Sequence, residues 1–390
     1  MKYAMFLLLF FSSSLLASVA DKPVWTINTK IMNLPQKKYS PKEPMDDPNY
    51  KVQFTSDDKI LISFFESRPQ TELITKDKPE KSGRVFIVLL LSKETGELIK
   101  RVEWPVMAES TPWQQFQYGS RINPLHSGGY VGIFNRRLQL LDSSFNVMYN
   151  RVLETSGNGI YEIIAPLYGQ YFILRFREDY RPSSSWVTEI IDSKTFKTIE
   201  KFIEMEVNLG IHDIWGDQLL AIGYSNNNYD KEAHLFEKKI SALQWNDFGL
   251  MPRDYWLSAK FIYNGKIIIP GSIEQASDSK TVWLTIENGE RSDPVYSDIS
   301  RFKPSRNTSI ITTKICELSD FRRTLDLNGF CRIKVYDLNT SKSLFTTKKY
   351  KDIVDYAISP NGDSIVLMTK KKIELYTVSP SKLKKGDKKN

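Results

Sequence analysis

The stretch Asp352–Val378, DIVDYAISPNGDSIVLMTKKKIELYTV, decides how the rest of the chain is read. Ile353–Ser359 is an apolar run with β-branched residues. Pro360-Asn361-Gly362-Asp363 is a turn, Ile365–Thr369 a second run, and three lysines lead into Ile373–Val378. Bursts of Val, Ile, Tyr and Thr between Gly/Asn/Asp turns read as short antiparallel strands. The segment therefore predicts three strands of one small sheet, and a polar tail follows. An unpaired last edge would be a template for aggregation, so a fourth strand must come from elsewhere.

The same grammar recurs upstream. Arg301–Pro304, Ser309–Ile315, Arg332–Asp337 and Ser343–Lys349 form a complete four-strand unit. Residues 259–273 with 281–297, 210–224 with 233–248, and 160–176 with 186–204 form three more. Residues 120–153 form a compact fifth, and 52–65 with 84–104 a sixth. Short strands repeated at this spacing predict an all-β chain, a seven-bladed β-propeller. Its last blade lacks an outer strand, and Val24–Ile31 (VWTINTKI) precedes the first unit without a partner. That segment is expected to pair with Ile373–Val378 and close the ring.

Several corners carry a resemblance. AISPNGDSIVL (357–367) resembles the first-to-second strand corner of the WD40, YVTN and Tol-B-like propellers. IKVYDLNTSKSL (333–344) and LLLSKETGELI (89–99) resemble their third-to-fourth strand corner. The resemblance implies the fold across nearly the whole chain and implies no activity. Trp-Asp blade endings and the tryptophan docking motif of pyrroloquinoline quinone enzymes are both missing.

Residues 1–20 read as a signal peptide cleaved after Ala20. Lys2 supplies the charge, Ala4–Phe11 the apolar region, and Ser18-Val19-Ala20 the small residues at the cleavage site. Residues 21–380 are then one propeller domain, and 381–390 a basic tail, in a secreted or periplasmic protein. No later run reaches the roughly 20 apolar residues of a membrane helix. Net charge is +8, but Lys2 carries one unit and the tail a net four. The body is close to neutral, which argues against nucleic acid as a partner. Two cysteines in an exported chain, Cys316 and Cys331, predict a disulfide at the base of the loop between them.

Turn lengths are uneven. The turns between strands one and two and between three and four are short (SDDK, YNGK, PNGD, DSSFN), and both lie on one face of a propeller. The opposite face receives the long segments, including ESRPQTELITKDKPEKSG, REDYRPSSS and ELSDFRRTLDLNGF. Long loops on a rigid scaffold are where binding residues collect. Tyr180, Arg181, Trp186 and Trp256 are the aromatic and basic candidates there, suited to an anionic, glycan or protein partner.

One polar residue opens each innermost strand: Gln53, Arg121, Glu162, His212 with Asp213, Lys260, Arg301 and Asp355. Such a ring faces the mouth of the central channel. Arg121, Lys260 and Arg301 make it a funnel for an anionic group. Alternatively, Glu162, His212 and Asp355 are the acid–base groups of a hydrolase or lyase acting there. The three histidines, His126, His212 and His234, lack metal-ligand spacing, and no nucleophile elbow, Walker loop or dinucleotide fingerprint occurs. The expectation is a monomeric binding protein without metal or cofactor, for an unidentified protein, glycan or small-molecule partner.

Overall fold

The computed structural model describes residues 22–35, 50–67, 84–105, 121–134, 137–153, 160–166, 168–177, 186–204, 209–224, 233–250, 259–275, 278–287, 290–291, 295–297, 302–316 and 330–378. Their strands form seven antiparallel sheets. Six are built from consecutive strands. Blade 1 is Lys51–Phe54, Ile60–Ser67, Arg84–Leu91 and Leu98–Pro105. Blade 2 is Arg121–Pro124, Tyr130–Phe134, Arg137–Leu141 and Val147–Val152. Blade 3 is Ile160–Ile164, Tyr171–Arg177, Val187–Asp192 and Thr198–Ile203. Blade 4 is Leu209–Trp215, Gln218–Tyr224, Ala233–Lys239 and Asn246–Leu250.

Blade 5 departs from the pattern. Lys260–Phe261, Ile267–Gln275 and Asp278–Glu287 are its first three strands, and two short pieces, Glu290–Arg291 and Val295–Ser297, share the outer position. Blade 6 is Phe302–Pro304, Ile310–Cys316, Cys331–Asp337 and Lys342–Thr346. The remaining sheet, blade 7, joins Ile353–Ile358, Ser364–Thr369 and Lys372–Thr377 to the N-terminal strand Trp25–Asn28.

The ring is held by apolar clusters between neighbouring blades. Alternate residues of a strand point to opposite faces, so one strand feeds two clusters. In blade 1, Ile60, Ile62 and Phe64 pack against Ala357, Val366 and Leu375 of blade 7. Leu61 and Phe65 pack the other way, against Ile122, Tyr130 and Phe134 of blade 2. The remaining clusters join each blade to the next around the ring. Burying each such side chain contributes about 1.5–3 kcal/mol.

Closure follows the register Trp25↔Leu375, Ile27↔Ile373. The paired segment is shorter than expected, because Thr29–Asn33 turns away instead of extending. Trp25 Nε1 then donates to the carbonyl of Lys93 in blade 1 at 2.7 Å. Gly96 has φ +75°, a conformation that favours glycine, and a Cβ there would press on Ile27 Cδ1 at 2.7 Å, where this corner of blade 1 touches the closing strand.

The third-to-fourth strand corners share one construction. Asp142 accepts from the backbone N–H of Ser144 and Asn146, Asp192 from Lys194 and Thr195, and Asp337 from Asn339. A left-handed residue follows in each: Phe145, Phe196 and Ser341. These Asx-type turns are the physical content of the corner motifs. Lys93 of a third-to-fourth corner pairs with Asp58 and Asp363 of two first-to-second corners, so both kinds of turn share a face.

Cys316 and Cys331 are directly opposed in adjacent strands and form a disulfide. Residues 1–20, most of the long-loop segments and the tail lie outside the described residues, and so do Tyr180, Arg181, Trp256 and Arg301. No helix among the described residues is long and apolar enough to cross a membrane.

Candidate functional site in the central channel

Each innermost strand enters from the long-loop side, so its first residue stands at that end of the channel. Lys51, Arg121 and Lys260 hold this position in blades 1, 2 and 5. Lys303 of blade 6 and Asp355 of blade 7 face them. Lys51 is exposed to solvent, with Asn123 bonded to its ammonium and Arg121, Lys303, Asp355 and Lys260 near enough to act on its charge. Its ammonium is pushed down to about 8, first by desolvation and then by Arg121 and Lys303, with Lys260 adding a smaller push. Asp355 opposes the shift only in part. Lys51 Nζ donates to Asn123 Oδ1 at 2.8 Å, and Gln53 Nε2 shares that acceptor at 3.3 Å.

Asp355 is already committed. Oδ2 accepts the backbone N–H of Val52 at 2.7 Å, and Oδ1 accepts from Lys303 Nζ at 2.5 Å. Asp213 does the same between blades 4 and 5, accepting the N–H of Phe261 at 2.9 Å and that of Ile214 at 2.9 Å. Both aspartates follow a register shift in their strand, between Ile211 and Asp213 and between Ile353 and Asp355. Such bulges re-aim a side chain, here toward the innermost strand of the next blade. Burial pushes the Asp213 carboxyl up to about 6, opposed by Lys260 and the two N–H donors.

Glu162 sits in a second group. Arg175 Nη1 donates to Glu162 Oε2 at 2.9 Å, and its Nε and Nη2 grip Glu204 at 2.8 and 2.9 Å. Thr188 Oγ1 donates to Glu204 at 2.6 Å. The Trp186 ring covers Arg175 at 4.7 Å and Arg177 at 5.3 Å. Trp186 thus stands at the strand edge, stacked on arginine, and the backbone N–H of Glu204 donates to its carbonyl. His212 belongs to the same end. A Cβ at Gly210 would lie 3.8 Å from Glu204 Oε2 and 3.9 Å from His212 Nε2. Burial, then Arg175 and Lys260, lower the imidazole to about 4, so it is neutral at pH 7.

Of the sequence candidates, the structure bonds Glu162 to Arg175, whose charge also disfavours the protonated form of His212. Asp355 is joined to Val52 and Lys303, with no hydrogen bond to either of the other two. Lys51 and Lys303 were missed. A signal existed for Lys51: it is two residues before Gln53 in the strand Lys51–Phe54, so the two share a strand face. Among the described residues, no cluster of three His, Cys, Asp or Glu side chains could hold a metal ion.

No family model matches the chain, and no curated protein matches it. Solved structures do. The β-propeller domain of the trilobed protease from Pyrococcus furiosus aligns with TM-score 0.53 and 8% identity, covering 85% of this chain and 97% of that one. The WD40 domain of Pan2 from Neurospora crassa aligns with TM-score 0.49 and 9% identity, covering 92% and 95%. At such identity the likeness to the Pyrococcus domain shows the propeller fold alone. The Pyrococcus propeller has an open velcro topology. Here the first and last described strands pair.

Proposed function

We propose that the protein is an exported, non-catalytic propeller that takes an anionic group of a ligand or partner protein at the long-loop mouth of its channel. The observation that carries this reading is the charge balance around Lys51. Arg121, Lys303 and Lys260 all act on Lys51; among the described residues Asp355 is spent on Val52 and Lys303, and Asp213 neighbours Lys260. Low-dielectric walls strengthen such a field and concentrate anions. Export is supported by the N-terminal sequence and by the disulfide. Tyr180, Arg181, Trp256 and Arg301 are assigned to the rim of this mouth by their sequence positions.

An anion among these cations would restore the Lys51 proton. Binding of citrate or tripolyphosphate should therefore take up protons near pH 8. Calorimetry in buffers of different ionisation enthalpy measures that uptake. Lys51→Met should abolish it and weaken binding tenfold or more. Binding without proton uptake, or unchanged in Lys51→Met and Lys260→Met, would remove the channel from the reading. The hydrolase or lyase alternative requires Glu162, His212 and Asp355 to act on one bound substrate. Glu162→Gln, His212→Gln and Asp355→Asn would then each abolish turnover of a substrate found by screening.

A further inference from the structure

The other end of the channel carries a cation of a different kind. Arg306 lies in the first-to-second strand turn of blade 6, which Ser305 tightens by pairing its N–H with the Ile310 carbonyl at 2.9 Å. The side chain crosses the opening to blade 2, where Nη2 reaches the Pro124 carbonyl at 3.5 Å, a long and weak contact. Nη1 is fully buried and has no hydrogen-bond partner. Among the described residues no carboxylate pairs with this guanidinium, and burial alone lowers it to about 10. A desolvated guanidinium without a counter-charge is costly unless an oxyanion completes it.

Beside it stands a ring platform. His126, in the matching turn of blade 2, feels the charge of Arg306 and packs against Tyr168 of blade 3, with ring centres 4.7 Å apart. Tyr168 stacks in turn on Trp215 of blade 4 at 5.3 Å, and half of Tyr168 remains exposed. Two glycines make the stack possible. Gly169 has φ +114°, a Cβ there would stand 2.8 Å from Gly216 Cα, and the Gly216 N–H donates to the Tyr168 carbonyl at 2.8 Å.

We infer that the short-turn mouth is a binding site for a small oxyanion carried on a ring, with the Arg306 guanidinium, whose Nη2 has only the long contact to Pro124, as donor and Tyr168 as platform. The site is independent of the lysine cluster at the opposite mouth. Benzoate, acetate, phenyl phosphate and inorganic phosphate are the probes, titrated into the full chain and read by calorimetry and by tryptophan fluorescence. The ring-bearing anions should bind at least tenfold tighter than acetate or phosphate. Arg306→Gln should weaken benzoate or phenyl phosphate tenfold or more and, by removing a buried unpaired charge, leave the Tm equal or higher. Arg306→Lys, which keeps the charge but not the planar fork, should weaken the same probe at least fivefold. Tyr168→Ala should erase the advantage of the ring-bearing probes, and Lys260→Met should leave it intact.

Two results would overturn the inference. One is equal affinity for all four probes, or none for any. The other is a lowered Tm in Arg306→Gln with unchanged benzoate binding in Arg306→Lys, which would make the arginine a plug.

Discussion

Blades 4 and 7 use one backbone device in two electrostatic settings. In each, a bulge in the innermost strand aims an aspartate at the N–H of the next blade. Asp355 also meets Lys303, so its charge is balanced. Asp213 is buried, forms no salt bridge among the described residues, and its carboxyl is pushed up to about 6. The two blades also differ in assembly. Blade 4 is consecutive in sequence, whereas blade 7 is completed by a strand more than 340 residues away from its partner. The same geometric clamp can thus serve as a compensated joint or as a titrating one.

The largest test addresses assembly. Deleting residues 22–31 removes the fourth strand of blade 7 and the partners of Ile373 and Leu375. The whole ring should lose cooperativity and melt far earlier, by more than 10 °C. An unchanged melting curve would show that closure contributes nothing, and that blade 7 is no more dependent on distant chain than blade 4.

The next compares the clamps directly. Asp355→Ala leaves the Val52 N–H and the Lys303 ammonium without their acceptor, which should cost about 3 kcal/mol. Asp213→Ala also strips two N–H groups of their acceptor but removes a buried charge that Lys260 offsets only in part, so its cost at pH 7 should be nearer 1 kcal/mol. Equal losses in urea denaturation would mean that Lys303 does nothing for its partner.

The smallest effect is a pH slope. Asp213 has a folded pKa raised to about 6 from 3.8, so its stabilising contribution is present below about pH 4 and is lost as pH rises through 6. Its neighbour His212 has a folded pKa lowered to about 4 from 6.5. The unfolded chain therefore takes up that proton first, and stability falls as pH drops from 6.5 toward 4. The two slopes oppose each other, each worth about 3 kcal/mol across the window. Wild-type Tm should be nearly flat there. Asp213→Asn should make it fall on acidification, and His212→Gln should make it rise. Parallel profiles in the two variants would contradict the assignment.

The blades were legible in the chain because their strands are short, alternating and separated by turn residues at Asn361-Gly362, Asp142 and Asp192. The disulfide and the closing strand were legible for the same reason: each is a pairing that a regular sheet forces on its edges. The channel was read less well. Asp355 and Glu162 stand out as polar residues at strand starts, yet one is a clamp between blades and the other the partner of Arg175. Lys51 and Lys303 were passed over because a lysine at a strand end ordinarily points to water. Arg306, in a turn with no local partner, carried no signal at all.

By itself the sequence determined the local events: where strands begin and turn, which edge lacked a partner, and which cysteines face each other. These depend on periodicity and on turn chemistry, which act over a few residues. Only the tertiary structure decided which charges meet. Lys51, Arg121, Lys260 and Lys303 come from four blades and lie up to 252 positions apart, and Arg306 reaches Pro124 across 182. Their interaction is set by closure of the ring, which brings seven strand ends around one axis, and electrostatic energy depends on that distance rather than on separation along the chain.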